Sequence, residues 1–392
     1  MSNRIFLSVA LGLFVALAGC TKKPVPTGPA SQIQLGFITG LNGITEPCGC
    51  TSKPLGGLDK MAAQIEALTK GPFGFAVTGD TFFEFDEAPG HLVEQENAKG
   101  EAIAAILGQL NPMAILPGPR DTVVGASSLP KWGKKYELPL FQSPRNTSSQ
   151  FRADTVLEII GGRKIGLIGI PGTEGLNEAG TITKGAMGLR AQGAEIVIAL
   201  IPIGGTDAVP FVNQLDAIDI AISGGEESDD LPTVAKGTLV VNAGIKGKNL
   251  GLLGIHWGTQ PKAADGFVYN DEGKGKRSSL EKRIASLEKR LALMSDGPGK
   301  DVRQKKLGEL QKELGALVVE TPNQAYVTWD RLRITKDEPS APWATARMAT
   351  YNKSLCKIVL ESTQDLVCPP ALEHKDTYVG TLRCMTCHPD SY

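Results

Sequence analysis

Histidine is scarce in this chain, with four among 392 residues, at positions 91, 256, 374 and 388. Imidazole chemistry is therefore confined to a few places. Aromatic residues are sparse at 6%. Neither sign of charge is in excess: the net charge is −1. Whole-chain electrostatics thus give no reason to expect a nucleic-acid or membrane-surface partner. There is no P-loop and no dinucleotide fingerprint. The glycine pairs Gly204-Gly205 and Gly224-Gly225 read as strand-end turns instead. What is left, 41% hydrophobic and 21% charged, is the composition of a soluble globular protein. The length suffices for one large or two medium domains.

The N-terminus reads as a targeting segment. Arg4 supplies a positive start, and Ile5 to Ala18 form an apolar run too short for a comfortable membrane span. Leu17-Ala18-Gly19-Cys20 follows and resembles a bacterial lipobox, so Cys20 is the expected lipid carrier and residues 1–20 the signal peptide. Lys22, Lys23, Pro24 and Pro26 then suit a polar tether over 21–31. Thr21, in place of an aspartate, hints at the outer membrane. The expected location is the cell envelope, with the membrane itself a partner through the anchor.

At the other end stands Cys384-Met-Thr-Cys387-His388, the C-x-x-C-H attachment pattern of c-type haem. Two thiols at this spacing form thioethers to the haem vinyl groups, and His388 reaches the iron as proximal ligand. A zinc half-site would need two further ligands, and a thioredoxin-like pair would need no histidine. His374 is the nearest distal candidate in sequence. Export makes the remaining cysteines disulfide candidates. Cys356 and Cys368 can close a loop across a turn. Cys48 and Cys50, one residue apart, are open to three readings: a redox pair, two free thiols or a strained disulfide.

From Ile33 onward the pattern is α/β. Apolar, β-branched runs at 33–38, 73–77, 113–116, 164–170, 195–201, 218–222 and 238–242 predict strands of a largely buried sheet. Residues 58–68 and 98–110 predict helices. A second pattern begins at Lys274. Leu280, Ile284, Leu287, Leu291 and Met294 step at helical spacing, as do Leu307, Leu310, Leu314 and Leu317, with the breaker Asp296-Gly-Pro-Gly299 between them. This predicts an antiparallel helical hairpin, packed as a coiled coil, over 274–317. From Lys274 to Glu313 there are twelve basic and six acidic residues. The excess is either a solvated face or a docking surface for an acidic partner or lipid headgroups. A return strand is expected at 324–329 and a helix at 341–354, with Met348, Tyr351 and Leu355 on one face.

Several motifs fall in a telling order: Phe37-Ile-Thr-Gly-Leu-Asn-Gly43, Glu46-Pro-Cys-Gly-Cys50, Pro54-Leu-Gly-Gly-Leu58, Gly79-Asp80, Gly118-Pro-Arg-Asp121, Ile201-Pro-Ile-Gly204, Ser223-Gly-Gly-Glu226 and Val241 to Gly251. Together they resemble the calcineurin-like metallophosphatases of 5′-nucleotidase type over residues 33–335. The subgroup with Glu-Pro-Cys-Gly-Cys is often joined to a multihaem cytochrome segment opening with Tyr-Val-Gly, here Tyr378-Val-Gly380. The resemblance implies a layered β-sheet core with flanking helices over 32–260, the hairpin as an insertion, return strands over 318–335, a helical extension over 336–377 and a truncated haem segment over 378–392. It also implies a multihaem cytochrome or other redox protein as partner.

The family holds two divalent metals through Asp, His and Asn side chains, and these activate water for phosphoryl transfer. Here Asp80 survives as the bridging carboxylate, but Gly40 and Asn42 replace the Asp and His of the first block. Pro119 and Arg120 replace the Asn and His of the third. Ile203, Glu226 and Ser228 stand at three further histidine places. Asn42, Asp80, Asp121 and Glu226 are the remnant oxygen donors, enough at most for one hard cation. The expected reading is a catalytically silent domain. An active phosphoesterase with unusual ligands, and a partner-binding lipoprotein with a vestigial haem motif, are the alternatives.

Overall fold

The computed structural model describes residues 28–47, 54–141, 155–170, 179–224, 232–258, 267–271, 274–294, 297–317 and 322–363. Cys20, Cys48, Cys50, Glu226, Cys368, His374, Cys384, Cys387 and His388 lie outside them. Among the described residues, no helix is long and apolar enough to cross a membrane.

Two six-stranded sheets make the core. The first comprises β1 (Gln32–Thr39), β2 (Phe73–Gly79), β3 (Ala114–Pro117), β10 (Asn249–His256), β11 (Val268–Tyr269) and β12 (Tyr326–Arg333), in the order β11-β12-β10-β1-β2-β3. The second comprises β4 (Thr155–Ile160), β5 (Arg163–Gly169), β6 (Ile196–Ile201), β7 (Ile220–Ser223), β8 (Thr233–Ala235) and β9 (Thr238–Val241), in the order β4-β5-β6-β7-β9-β8. β1, β2 and β3 are mutually parallel, as are β5, β6, β7 and β9.

Alternation along each strand decides what the sheets face. Ile33, Leu35 and Phe37 of β1 pack with Ile196, Ile198 and Leu200 of β6 in one apolar layer between the sheets. The opposite face of the first sheet, through Ile38, Phe75, Val77 and Ile115, meets helices α1 (Leu58–Leu68), α2 (Val93–Leu110), α3 (Ser128–Tyr136) and α8 (Pro342–Thr363). Val197, Ala199 and Ile201 turn outward from the second sheet against α4 (Ala179–Ala191) and α5 (Gly205–Val212). The result is four layers, α/β/β/α, as the layered core expected above requires.

The helices follow their sequence spacing. Leu58, Met61, Ala62 and Ile65 are buried at intervals of three and four, and α1 starts directly after Gly57, whose φ of 109° suits glycine. Met348 and Tyr351 of α8 are buried and Leu355 packs beside them, on the face expected for them. Where the hairpin is expected, two helices, α6 (Lys274–Leu291) and α7 (Pro298–Gly315), pack together through Leu280, Ile284 and Leu310 with Leu287, Leu307 and Leu314 around them.

Two differences have physical causes. α2 starts at Val93, five residues before the expected helix. Its first turn is polar, but Glu94 and Glu96 suit a helix N-terminus. β10 escapes the strand pattern because Gly251 and Gly254 interrupt it. A Cβ at Gly251 would fall on the Phe37 ring, so the close approach of β1 needs glycine there.

Candidate functional site

In parallel α/β sheets, ligand sites form beyond the carboxyl ends of the strands. Here the described parts of the loops after β1, β2, β3, β7 and β9 leave from that rim, and hydrogen bonds tie them together. The loop after β1 joins that after β2: Asn42 N–H donates to the Asp80 carbonyl at 2.8 Å and Gly43 N–H to Thr81 at 3.1 Å. It also joins the loop after β9, where Thr39 Oγ1 donates to the Gly244 carbonyl at 2.6 Å and Lys246 N–H to Gly40 at 2.8 Å. The two sheets meet at Gly224, where a Cβ would come within 2.8 Å of Gly79 Cα. Asn242 Nδ2 holds the end of β7 through the Ser223 carbonyl at 2.9 Å. The order of motifs in the sequence thus becomes one ring of loops.

Asp80 and Asp121 sit on this rim in different roles. Asp121 is fully buried. Its Oδ1 accepts from the N–H groups of Thr81 (2.9 Å) and Phe82 (2.7 Å), and its Oδ2 from Gly118 N–H (2.9 Å). Both oxygens are engaged by backbone, so Asp121 clamps the loops after β2 and β3. Expected as a remnant donor to a cation, Asp121 turns both oxygens to backbone N–H groups in this structure. Burial, with Asp80 beside it, pushes its carboxyl up to about 8, against the pull of those N–H groups.

Asp80 is mostly buried. Its Oδ1 accepts the Arg120 N–H at 2.9 Å, and its Oδ2 lies 3.7 Å from Arg120 Nε. The same Nε donates to Asp86 Oδ1 at 2.7 Å. Burial raises the Asp80 carboxyl above its ordinary value, and the Arg120 amide and charge pull it back. Beside this cluster, Lys246 Nζ pairs with Glu84 at 2.7 Å. Asn42 is buried with φ 53°, and among the described residues no hydrogen-bond donor reaches its Oδ1.

The two-metal centre implied by the resemblance does not fit these residues. Arg120 places a fixed positive charge against Asp80, where a divalent cation would need that carboxylate. Among the described residues, the remnant side-chain oxygens left are Asn42 Oδ1 and an arginine-paired carboxylate, short of the six to eight that a hard cation takes. No imidazole compensates among the described residues. His91 is exposed on a short turn before α2. His256 stacks on Tyr326 and pairs with Gln32, at the opposite end of the sheet. No group of three His, Cys, Asp or Glu among the described residues is arranged to hold a metal.

Three contributors were not anticipated from sequence: Asp86, Glu84 and the buried Glu96. Glu96 pairs with Lys99 at 2.7 Å under the rim loop. Burial and the charges of Glu96 and Glu46 push the Tyr351 hydroxyl up to about 12. Glu46, just before Cys48, also accepts from Asn352 of α8 at 3.2 Å, so α8 backs this loop. The acidic stretch 84–87 was the available signal, and it carries no motif. Cys356 is exposed on α8.

No protein-family model matches the sequence, and a search of curated proteins finds no match. Solved structures do match. A 5′-nucleotidase precursor from Thermus thermophilus is similar with TM-score 0.55 and 15% identity, over 83% of this chain and 59% of that one. The calcineurin-like phosphoesterase YfkN from Bacillus subtilis gives TM-score 0.51 and 12% identity, over 84% and 99%. The sulfate thiohydrolase SoxB from Thermus thermophilus gives 0.54 and 12%, over 89% and 63%. The chain thus spans about three fifths of the nucleotidase precursor's length. At these identities the likeness is one of fold, and the α/β/β/α core is metallophosphatase-like.

Proposed function

We propose that this protein is a cell-envelope lipoprotein whose phosphoesterase-like domain is catalytically silent and serves as a scaffold next to electron transfer. Cys20 carries the lipid, and Cys384 and Cys387 bind one haem c with His388 on the iron. A multihaem cytochrome or another redox protein is the expected partner. The observation that carries the silent-domain reading is Arg120, paired with Asp80 at the rim where a metal would need that carboxylate and held there by Asp86. The haem and lipid assignments rest on their sequence motifs.

The test combines two measurements on protein purified from membranes. Haem staining after denaturation should reveal covalent haem in the wild type and none in Cys384→Ala/Cys387→Ala. Elemental analysis should find no stoichiometric divalent metal, with no hydrolysis of nucleotides or phosphodiesters. An unstained wild type removes the haem assignment. Two equivalents of metal, with hydrolysis lost in Asp80→Ala, would replace this reading by an active phosphoesterase.

A further inference from the structure

The charge of this chain is balanced overall but not locally, and the imbalance sits on the α6–α7 hairpin. The groove on one of its faces, about 370 Å³, is lined by Arg283, Ser286, Leu287, Arg290, Lys306 and Leu310. Arg283 and Arg290 have no ion-pair partner among the described residues, and Lys306 is held only by an exposed contact to Glu309. The same face continues to the loop-side end of the hairpin. Leu293 follows Arg290 by three residues, in a turn closed by its N–H to the Arg290 carbonyl at 3.2 Å. Val302 precedes Lys306 by four. Leu293 and Val302 are 83% and 70% exposed, more than any other large apolar residue described.

We propose that this end of the hairpin docks onto an anionic phospholipid surface. Two apolar side chains held out in water are a liability unless something apolar receives them. Their order along the helix selects the receiver. Leu293 stands in the turn that follows α6, three residues past Arg290, and at roughly 1.5 Å per helical residue Arg283 lies about 10 Å behind Arg290. Leu293 and Val302 thus reach the acyl boundary while Arg290 and Lys306 stand at the depth of the phosphates. Each cation near an anionic surface adds to the attraction. Asp301, beside Val302, opposes this, but Lys300 and Arg303 flank it. An acidic protein would satisfy the cations and leave the apolar end in water.

The full chain is reconstituted with vesicles of phosphatidylcholine alone or with one third phosphatidylglycerol, each with and without brominated acyl chains. Leu293→Trp serves as reporter at an exposed position. The emission added by this substitution should be quenched in the brominated anionic vesicles. High salt, or Arg283→Glu/Arg290→Glu in the same chain, should abolish the quenching. Equal emission in brominated and plain vesicles overturns the proposal, as does quenching indifferent to phosphatidylglycerol. A response to polyglutamate with none to vesicles also overturns it, in favour of an acidic protein partner. Because the reporter reads the hairpin itself, failure leaves the haem and metal tests above untouched.

Discussion

Asp121→Ala is expected to destabilise the protein by about 3–5 kcal/mol, seen as a lower midpoint of urea unfolding. The substitution leaves the N–H groups of Thr81, Phe82 and Gly118 buried without their acceptor. Each such group costs about 1–3 kcal/mol. Relief of the carboxylate's own burial offsets part of that sum. Against a total stability of roughly 5–15 kcal/mol, the loss is large. Asp121→Asn should fall between, because it keeps one acceptor oxygen but turns an amide donor toward backbone donors. An unchanged midpoint in Asp121→Ala would show that the loops after β2 and β3 hold together without the clamp.

The same residue gives a pH dependence. Asp121 is pushed up to about 8 and Asp80 is also raised, while in the unfolded chain both titrate near 4. Between these limits the folded state binds more protons than the unfolded one. Stability therefore falls as pH rises from about 4 through about 8. Asp121→Asn should remove much of that slope.

How legible this was in the sequence depended on what each segment's residues had to advertise. β6, Ile196 to Ile201, is apolar at every position because both faces are covered, and a run of β-branched residues signals that directly. α4 is as well placed in the fold, but Gly180, Gly185 and Gly188 weaken its helical signal. The rim divides the same way. The order of the motifs pointed to a layered α/β core, and in that core the described motif loops lie on one rim. The identity of Arg120 announced that a ligand was missing. It did not announce the replacement, because the partner Asp86 lies 34 positions earlier in a stretch without a motif. Nor did the sequence separate Asp80 from Asp121. An aspartate in a ligand block reads as a donor to a cation, and only the backbone N–H groups converging on Asp121 show otherwise.

Arg120→Ala is the sharper test of what the rim has become. Breaking a buried ion pair costs about 3–5 kcal/mol. An exposed pair contributes about 1 kcal/mol or less. The Arg120 side chain is 32% exposed and that of Asp80 12%. A loss of about 2 kcal/mol at neutral pH is therefore expected. Its pH dependence identifies the cause. Without Arg120 the Asp80 carboxyl rises further, so its ionised form is the species that suffers. The difference between variant and wild type should be larger where Asp80 is ionised and shrink on acidification, as Asp80 becomes protonated in both. Calcium gives the second signature. With the guanidinium gone, the Asp80 and Asp86 carboxylates lose their cation, and added Ca²⁺ should raise the variant's melting temperature. The wild type should respond neither to Ca²⁺ nor to chelator, because its cation is part of the chain. A wild type stabilised by divalent metal would mean that Arg120 yields its place, and the rim would again be a metal site.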